Sequence, residues 1–334
     1  MTEVRAWIQR KLMVCGLLAF AWGRPSLTPA WTDEAPAGEL LLIVGAAGST
    51  DYARQFAAWA EQWKRAAQAA RYAGICLTAE NEESSAQPAL PLKQRWHTWL
   101  NAADHQGSRP LWVVLIGHGT YDRRTARFNL PGPDVSAEEL ASWLEPFTRP
   151  LIIIDTTACS APFLVSLARP GRIVITATKG GGEQNFTRFG EYLAQAWWEP
   201  RADLDKDDAV SLLEAFLYAS RRTADFYKTE GRLRTEHALL DDDGDGQGTR
   251  AEDYVGLHPR EEGMQVDGLR AHLTFLVPSS QEADWSPDRR AARQLLEQQL
   301  LELRQRKAQL PPAEYAHQLE FLLLQLAELT FSPR

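Results

Sequence analysis

The sequence predicts a doubly wound α/β domain followed by an α-helical hairpin. Three observations carry that fold class. Short continuous apolar runs recur at Glu39–Gly45, Leu111–Ile116, Leu151–Ile154 and Arg172–Ala177, the pattern of strands buried on both faces of a parallel sheet. Segments with helical spacing lie between them, and right-handed crossovers then bring the strands side by side in parallel. From Ser286 the composition turns to Leu, Gln, Arg and Glu, interrupted at Pro311-Pro312, as in two helices folded back on each other.

In order, residues 1–30 read as a targeting segment. Arg5, Arg10 and Lys11 precede the apolar stretch Leu12–Trp22, and Thr28-Pro-Ala30 offers small residues for cleavage. That is the order of an export signal, and it is short for a membrane span. The expected location is therefore exported (periplasmic or extracellular) or membrane-associated. The main domain covers 39–280. After the first strand, Tyr52–Arg71 is a long helix, Arg71–Ala79 a strand enclosing Cys76, and Leu92–Ala103 a helix. Beyond the Leu111–Ile116 strand a loop runs from Tyr121 to Asp134, then a helix from Ala137 to Leu144. The Leu151 strand leads through a short helix ending at Leu167 to the Arg172 strand. Phe186–Glu199 and Ala209–Tyr227 are helices, and Ala271–Val277 is a candidate last strand at the sheet edge. The hairpin spans 286–331. Its expected seam is Leu295, Leu296, Leu300, Leu303, Leu310, Leu319, Leu322, Leu326 and Leu329, a face suited to a neighbour or a partner.

The net charge of −8 and the absence of a basic patch with interleaved aromatics exclude a general nucleic-acid binder. Cysteines number three, too few and too scattered for a disulfide framework. Lys179-Gly-Gly-Gly182 lacks the Gly-Lys-Ser/Thr ending of a phosphate loop.

Two strand ends carry the chemistry. Leu111–Ile116 runs into Gly117-His118-Gly119-Thr120, and Leu151–Ile154 into Asp155-Thr-Thr-Ala-Cys159-Ser160. Sites in open α/β sheets assemble at the carboxyl ends of neighbouring strands. Adjacent strands would put His118 and Cys159 on one cleft, as a thiolate-forming pair requires. Cys159 precedes a helix whose dipole is expected to lower its pKa. The glycines beside His118 let a substrate backbone approach, and one of them can supply an oxyanion N–H.

Four stretches in this order resemble one known family: Leu42–Ser49 with Tyr52 and Arg54, Ile116–Thr120, Ile154–Ser160, and Thr176–Asn185. Together they look like the caspase-fold cysteine peptidases, and among these most resemble the legumain (asparaginyl endopeptidase) family and its bacterial relatives. The resemblance spans about residues 39–245 and leaves out the hairpin. It implies a caspase-like, mainly parallel sheet flanked by helices, and an endopeptidase acting on protein or peptide with no required cofactor. Cys159 would attack the scissile carbonyl, His118 would handle the proton, and the Gly119 and Cys159 N–H groups would bind the oxyanion. Arg54 matches the arginine early in the first helix that helps line the S1 pocket. Legumain has Asp where this chain has Gly117 and Glu where it has Ser160, so neither asparaginyl nor acidic specificity carries over. Ser160 is counted with the substrate-binding positions. Glu183, in the specificity loop, would face S1 and favour a basic or amide P1 residue.

Two acidic segments add a second chemistry. Asp203–Glu214 places Asp203, Asp205, Asp207, Ser211 and Glu214 at ligand positions of an EF-hand loop, with Asp208 where the sharp turn wants Gly. Asp241–Glu252 keeps that Gly as Gly246 and offers Asp241, Asp243, Asp245, Thr249 and Glu252. Calcium ligation and a capped or solvated acidic loop are both open readings for each. Two other functional classes compete with the peptidase: a catalytically degenerate module binding partners through its hairpin, and a calcium-dependent adhesion or sensor domain. His237 reads as a structural histidine.

Overall fold

The computed structural model describes residues 36–78, 90–261, 263–282 and 284–331. The expected targeting segment lies outside them, and no described helix is long and apolar enough to cross a membrane.

The first half comprises β1 (Glu39–Val44), α1 (Thr50–Ala69), β2 (Ala73–Leu77), α2 (Leu92–Ala102), β3 (Leu111–Ile116), β4 (Gly119–Tyr121), β5 (Ala126–Phe128), β6 (Val135–Ser136) and α3 (Ala137–Leu144). Then come β7 (Leu151–Asp155), α4 (Ala161–Leu167), β8 (Arg172–Thr176), α5 (Phe189–Ala196), α6 (Leu212–Thr229) and β9 (Leu239–Asp241). The chain closes with the β10–β11 ribbon (Tyr254–Val255, His258–Pro259), α7 (Leu269–His272), α8 (Pro287–Gln305) and α9 (Pro312–Phe331).

A six-stranded sheet in the order β2-β1-β3-β7-β8-β9 organises the molecule. All its pairings are parallel except β8–β9. This is the expected mainly parallel α/β sheet with helices on both faces. Alternation along the strands fills two cores. Leu40, Leu42, Trp112, Val114 and Ile154 face α1, α5 and α6, while Leu41, Ile43, Val113, Leu115 and Ile153 face α2, α3 and α4. Trp63, Trp112 and Trp197 meet at centroid separations of 5.6 to 6.4 Å and tie α1 to the sheet centre. Local signals set the helix starts. Ser136 with Glu139, and Ser211 with Glu214, form reciprocal capping boxes at α3 and α6.

Strand order reverses between β1 and β3, since β2 lies on one side of β1 and every later strand on the other. Crevices at such reversals, beyond the carboxyl strand ends, are where ligands bind in open sheets. Both motif-bearing strand ends open at or beside that point.

Two element assignments fail. The segment from Tyr121 to Asp134 contains β5 and part of β4, which with β6 make a small antiparallel sheet. Ala271–Val277 is not the edge strand, because the Asp242 carboxylate accepts the N–H groups of Arg270 and Ala271 and caps a helical turn there. β9 takes the edge instead. The hairpin forms as expected, with Leu303 and Leu322 enclosed, but Leu295 is 55% exposed and lies off the seam.

Candidate active site

β3 and β7 are hydrogen-bonded neighbours, so the segments leaving them sit side by side. The turn after β7 is pinned at several points. Thr156 donates to Leu115 O through N–H (3.1 Å) and hydroxyl (2.7 Å), extending the parallel register past the strand end. Asp155 Oδ1 accepts from Thr157 N–H (3.0 Å) and Oγ1 (2.7 Å). Cys159 then takes a left-handed backbone (φ +57°) before α4 begins at Ala161. That conformation costs a non-glycine residue on the order of 1–2 kcal/mol. The strained strand–turn–helix corner is thereby held by its neighbours.

His118 leaves β3 toward this corner. Its Nε2 lies 3.1 Å from the carbonyl oxygen of Ala47, just beyond β1. A carbonyl only accepts, so the proton of the neutral ring resides on Nε2 and the lone pair on Nδ1. Tyr52, Phe56 and Phe186 pack around the imidazole at 4.8, 5.2 and 6.0 Å between centroids and fix its plane. The Asn129 N–H donates to His118 O, which makes Gly119 and Phe128 a non-hydrogen-bonded pair. Gly119 N–H therefore points away from β5. Gly119 is also where the two segments touch: a Cβ there would lie 2.1 Å from Ala158 O and 2.6 Å from Thr157 Oγ1.

The Cys159 thiol departs from expectation. It is 1% exposed, and its pKa is pushed up to about 11, first by burial and then by the Asp155 carboxylate. Burial and the neighbouring negative charge both oppose ionisation, and the helix that follows has only seven residues. Among the described residues no hydrogen bond joins the thiol to His118. Nor is the Cys159 N–H open to an oxyanion, because it donates to Glu183 O at 2.9 Å.

The other predicted positions fall as follows. Arg54 is 80% exposed on α1 and paired with Asp51 at 2.5 Å. Ser160 is fully enclosed with its hydroxyl on Thr178 (3.0 Å), so it faces no substrate surface. Glu183 is engaged by its own loop and by His237. Its Oε2 accepts from Lys179 N–H and His237 N–H, both at 3.0 Å, and His237 Nδ1 lies 2.5 Å from Oε1. In the second acidic loop Asp241 and Asp243 converge with Asp267, not with Asp245 and Glu252; Glu252 instead pairs with Arg234 at 2.5 Å. In the first, Asp203, Asp205 and Glu214 converge, and Asp208 adopts the left-handed backbone (φ +69°) that the missing glycine would have taken. Yet Glu214 already accepts Leu204 N–H, Ser211 N–H and the Ser211 hydroxyl.

Sequence reasoning missed the parts played by four residues. Ala47 acts through a backbone carbonyl, which leaves no mark in a side-chain pattern. Tyr52 and Phe56 stood one turn apart at the start of α1, a legible signal of a shared face. Asp155 was read as part of a strand end, whereas it is a fully buried carboxylate whose Oδ2 has no hydrogen-bond partner. Burial raises its pKa to about 6, against the lowering effect of the Thr157 bonds. A folded-state value above the unfolded one means that stability is highest when both forms are protonated, and falls as pH rises from about 4 through 6. Ionising Asp155 in the folded protein costs on the order of 3 kcal/mol more than in the unfolded chain. Asp155→Asn is therefore expected to flatten the pH dependence of urea unfolding across that window, and to speed alkylation of Cys159 at pH 8 by removing the adjacent charge. An unchanged slope with unchanged alkylation would contradict this account.

No family model matches the sequence, and no curated protein matches it either. Solved structures do match over part of the chain. Caspase-1 from Spodoptera frugiperda is 8% identical over 62% of this chain and 87% of its own, with a TM-score of 0.39. Pro-sf-caspase-1 is 6% identical over 63% and 94%, with a TM-score of 0.40. A Geobacter sulfurreducens protein is 12% identical over 62% and 93%, with a TM-score of 0.37. The fold class stands on the connectivity of the sheet itself.

Proposed function

We propose that this chain is a cysteine-type endopeptidase in which Cys159 is the nucleophile and His118 the general base and acid. One observation carries the reading: the Ala47 carbonyl holds the His118 proton on Nε2, which reserves Nδ1 for proton transfer on the strand end beside the Cys159 corner. Substrate binding would bring the scissile carbonyl over Cys159. The thiol proton would pass to Nδ1 as the C–S bond forms, with Gly119 N–H turned toward the developing oxyanion. Returning the proton to the leaving amine would break the C–N bond, and water activated by His118 would release the acyl group. The buried thiol makes this transfer a step of catalysis rather than a resting ion pair. The legumain-like placement and an exported location are supported by the sequence stretches alone.

One observation favours a second reading, a catalytically silent caspase-fold interaction module: the thiol is enclosed, held near pKa 11, and not bonded to His118. A mixed-peptide library separates the two. Cleavage by the purified protein that vanishes in Cys159→Ala establishes the peptidase and reveals its P1 residue. Equal product profiles from both forms, which persist when the Glu183–His237 contact is broken by His237→Ala, establish the silent module.

A further inference from the structure

The loop from Thr178 to Thr187 is strapped across the Cys159 corner, and its fastening lies away from the dyad. At the corner, Glu183 O receives the Cys159 N–H at 2.9 Å. Thr187 Oγ1 donates to Thr156 O at 2.5 Å, and Gly181 packs so closely on Tyr121 that a Cβ would stand 2.3 Å from its ring. The Glu183 side chain points the other way and is gripped by the segment preceding β9. A carboxylate only accepts, so His237 Nδ1–H donates to Oε1 at 2.5 Å while His237 N–H donates to Oε2 at 3.0 Å. Lys179 N–H adds a third bond at 3.0 Å, closing the loop on itself. The Glu183 and His237 side chains are 14% and 20% exposed, so water competes weakly for these bonds.

A backbone N–H makes one good hydrogen bond at a time. While Glu183 O holds that of Cys159, a tetrahedral intermediate can draw on Gly119 alone. We propose that the Glu183–His237 pair is a latch: it holds the Glu183 carbonyl in the oxyanion position at Cys159 and keeps the site latent until the loop is displaced. The proposal rests on the peptidase reading for its consequence, but the latch itself is a property of the loop. His237 thus acts as a positioning residue, through Glu183, and touches no reacting atom.

The test uses 4-nitrophenyl acetate, which reports acyl transfer without knowledge of the natural substrate. The Cys159 sulfur attacks the ester carbonyl, the C–S bond forms, the C–O bond breaks, and nitrophenolate departs as the thiol proton moves to His118. Iodoacetamide, whose displacement develops no oxyanion, serves as the comparison on the same thiol. His237→Ala is expected to speed the Cys159-dependent nitrophenolate burst by ~10-fold or more, up to the ~10²–10³ that one oxyanion donor supplies, and to change iodoacetamide alkylation, which develops no oxyanion, less than about 2-fold. Amide hydrogen exchange supplies the second measurement. The Cys159 N–H is expected to lose protection in His237→Ala while the β7 amides keep theirs, which also shows that the variant is folded.

Equal acceleration of both reagents would mean a lid that merely covers the thiol, and would overturn the latch. So would a burst that is unchanged or slower, or a Cys159 amide that stays protected. Failure of the peptidase reading looks different: His237→Ala and His237→Ala/Cys159→Ala then give the same nitrophenolate trace, and exchange alone decides whether the latch exists.

Discussion

Replacing His118 with alanine is expected to lower Cys159-dependent peptide cleavage by roughly 10³-fold, within the span attributed to a positioned general acid–base. The size follows from the thiol's environment. With burial and Asp155 pushing Cys159 up to about 11, only about one thiol in 10⁴ is ionised near pH 7. Without an acceptor at Nδ1, attack depends on that minor fraction, and the departing amine has no proton donor. The pH–rate profile supplies the check that a structural role would not move. Wild type should reach its plateau well below pH 11, whereas His118→Ala should climb with pH toward the thiol's own ionisation. The variant also empties a space between Tyr52, Phe56 and Phe186, so its urea midpoint should be measured alongside. Cleavage within 3-fold of wild type in a folded variant would remove His118 from the mechanism.

Gly119→Ala is expected to have the second largest effect, through distance alone. The added methyl would stand 2.1 Å from Ala158 O and 2.6 Å from Thr157 Oγ1. Neither neighbour yields easily, since Ala158 O is backbone and the Thr157 hydroxyl is bonded to Asp155 Oδ1 at 2.7 Å. The Cys159 corner must shift away from the His118 strand. Overpacking of this kind costs typically 1–3 kcal/mol, and a displacement of about 1 Å at reacting groups costs ~10²-fold in rate. Gly182→Ala is the matched control: in the same neighbourhood, a Cβ there meets nothing within 4 Å. Chemical denaturation and the peptide assay together separate the outcomes. A Gly119→Ala protein matching Gly182→Ala in both would show that the close approach is not needed.

Much of the fold was legible because its signals are local. The runs at β1, β3, β7 and β8 are apolar on both faces, and few structures other than a covered parallel sheet bury such a run. Ser136/Glu139 and Ser211/Glu214 announce helix starts from within four residues. The edge strand was misplaced for a physical reason of the same kind in reverse. Ala271–Val277 has strand-like composition, but a distant carboxylate, that of Asp242, caps it into a helical turn. Leu239–Asp241 becomes the edge because it meets β8, a pairing that no local pattern in so short a segment signals.

The candidate site divides along the same line. Which residues are proposed to carry chemistry, His118 and Cys159, and that each follows a buried strand, were legible in the sequence, because residue type and strand periodicity are written in consecutive positions. Only the tertiary structure decided that β3 and β7 are neighbours, that the Ala47 carbonyl fixes the His118 tautomer, and that Glu183 turns to His237 while its carbonyl covers Cys159 N–H. It also decided that Asp243 gathers with Asp267 rather than Glu252. Each of these is a backbone contact, or a pairing across 24 to 71 residues of chain, in which the partner's identity carries no local signature and the packed sheet and its loops choose which groups meet.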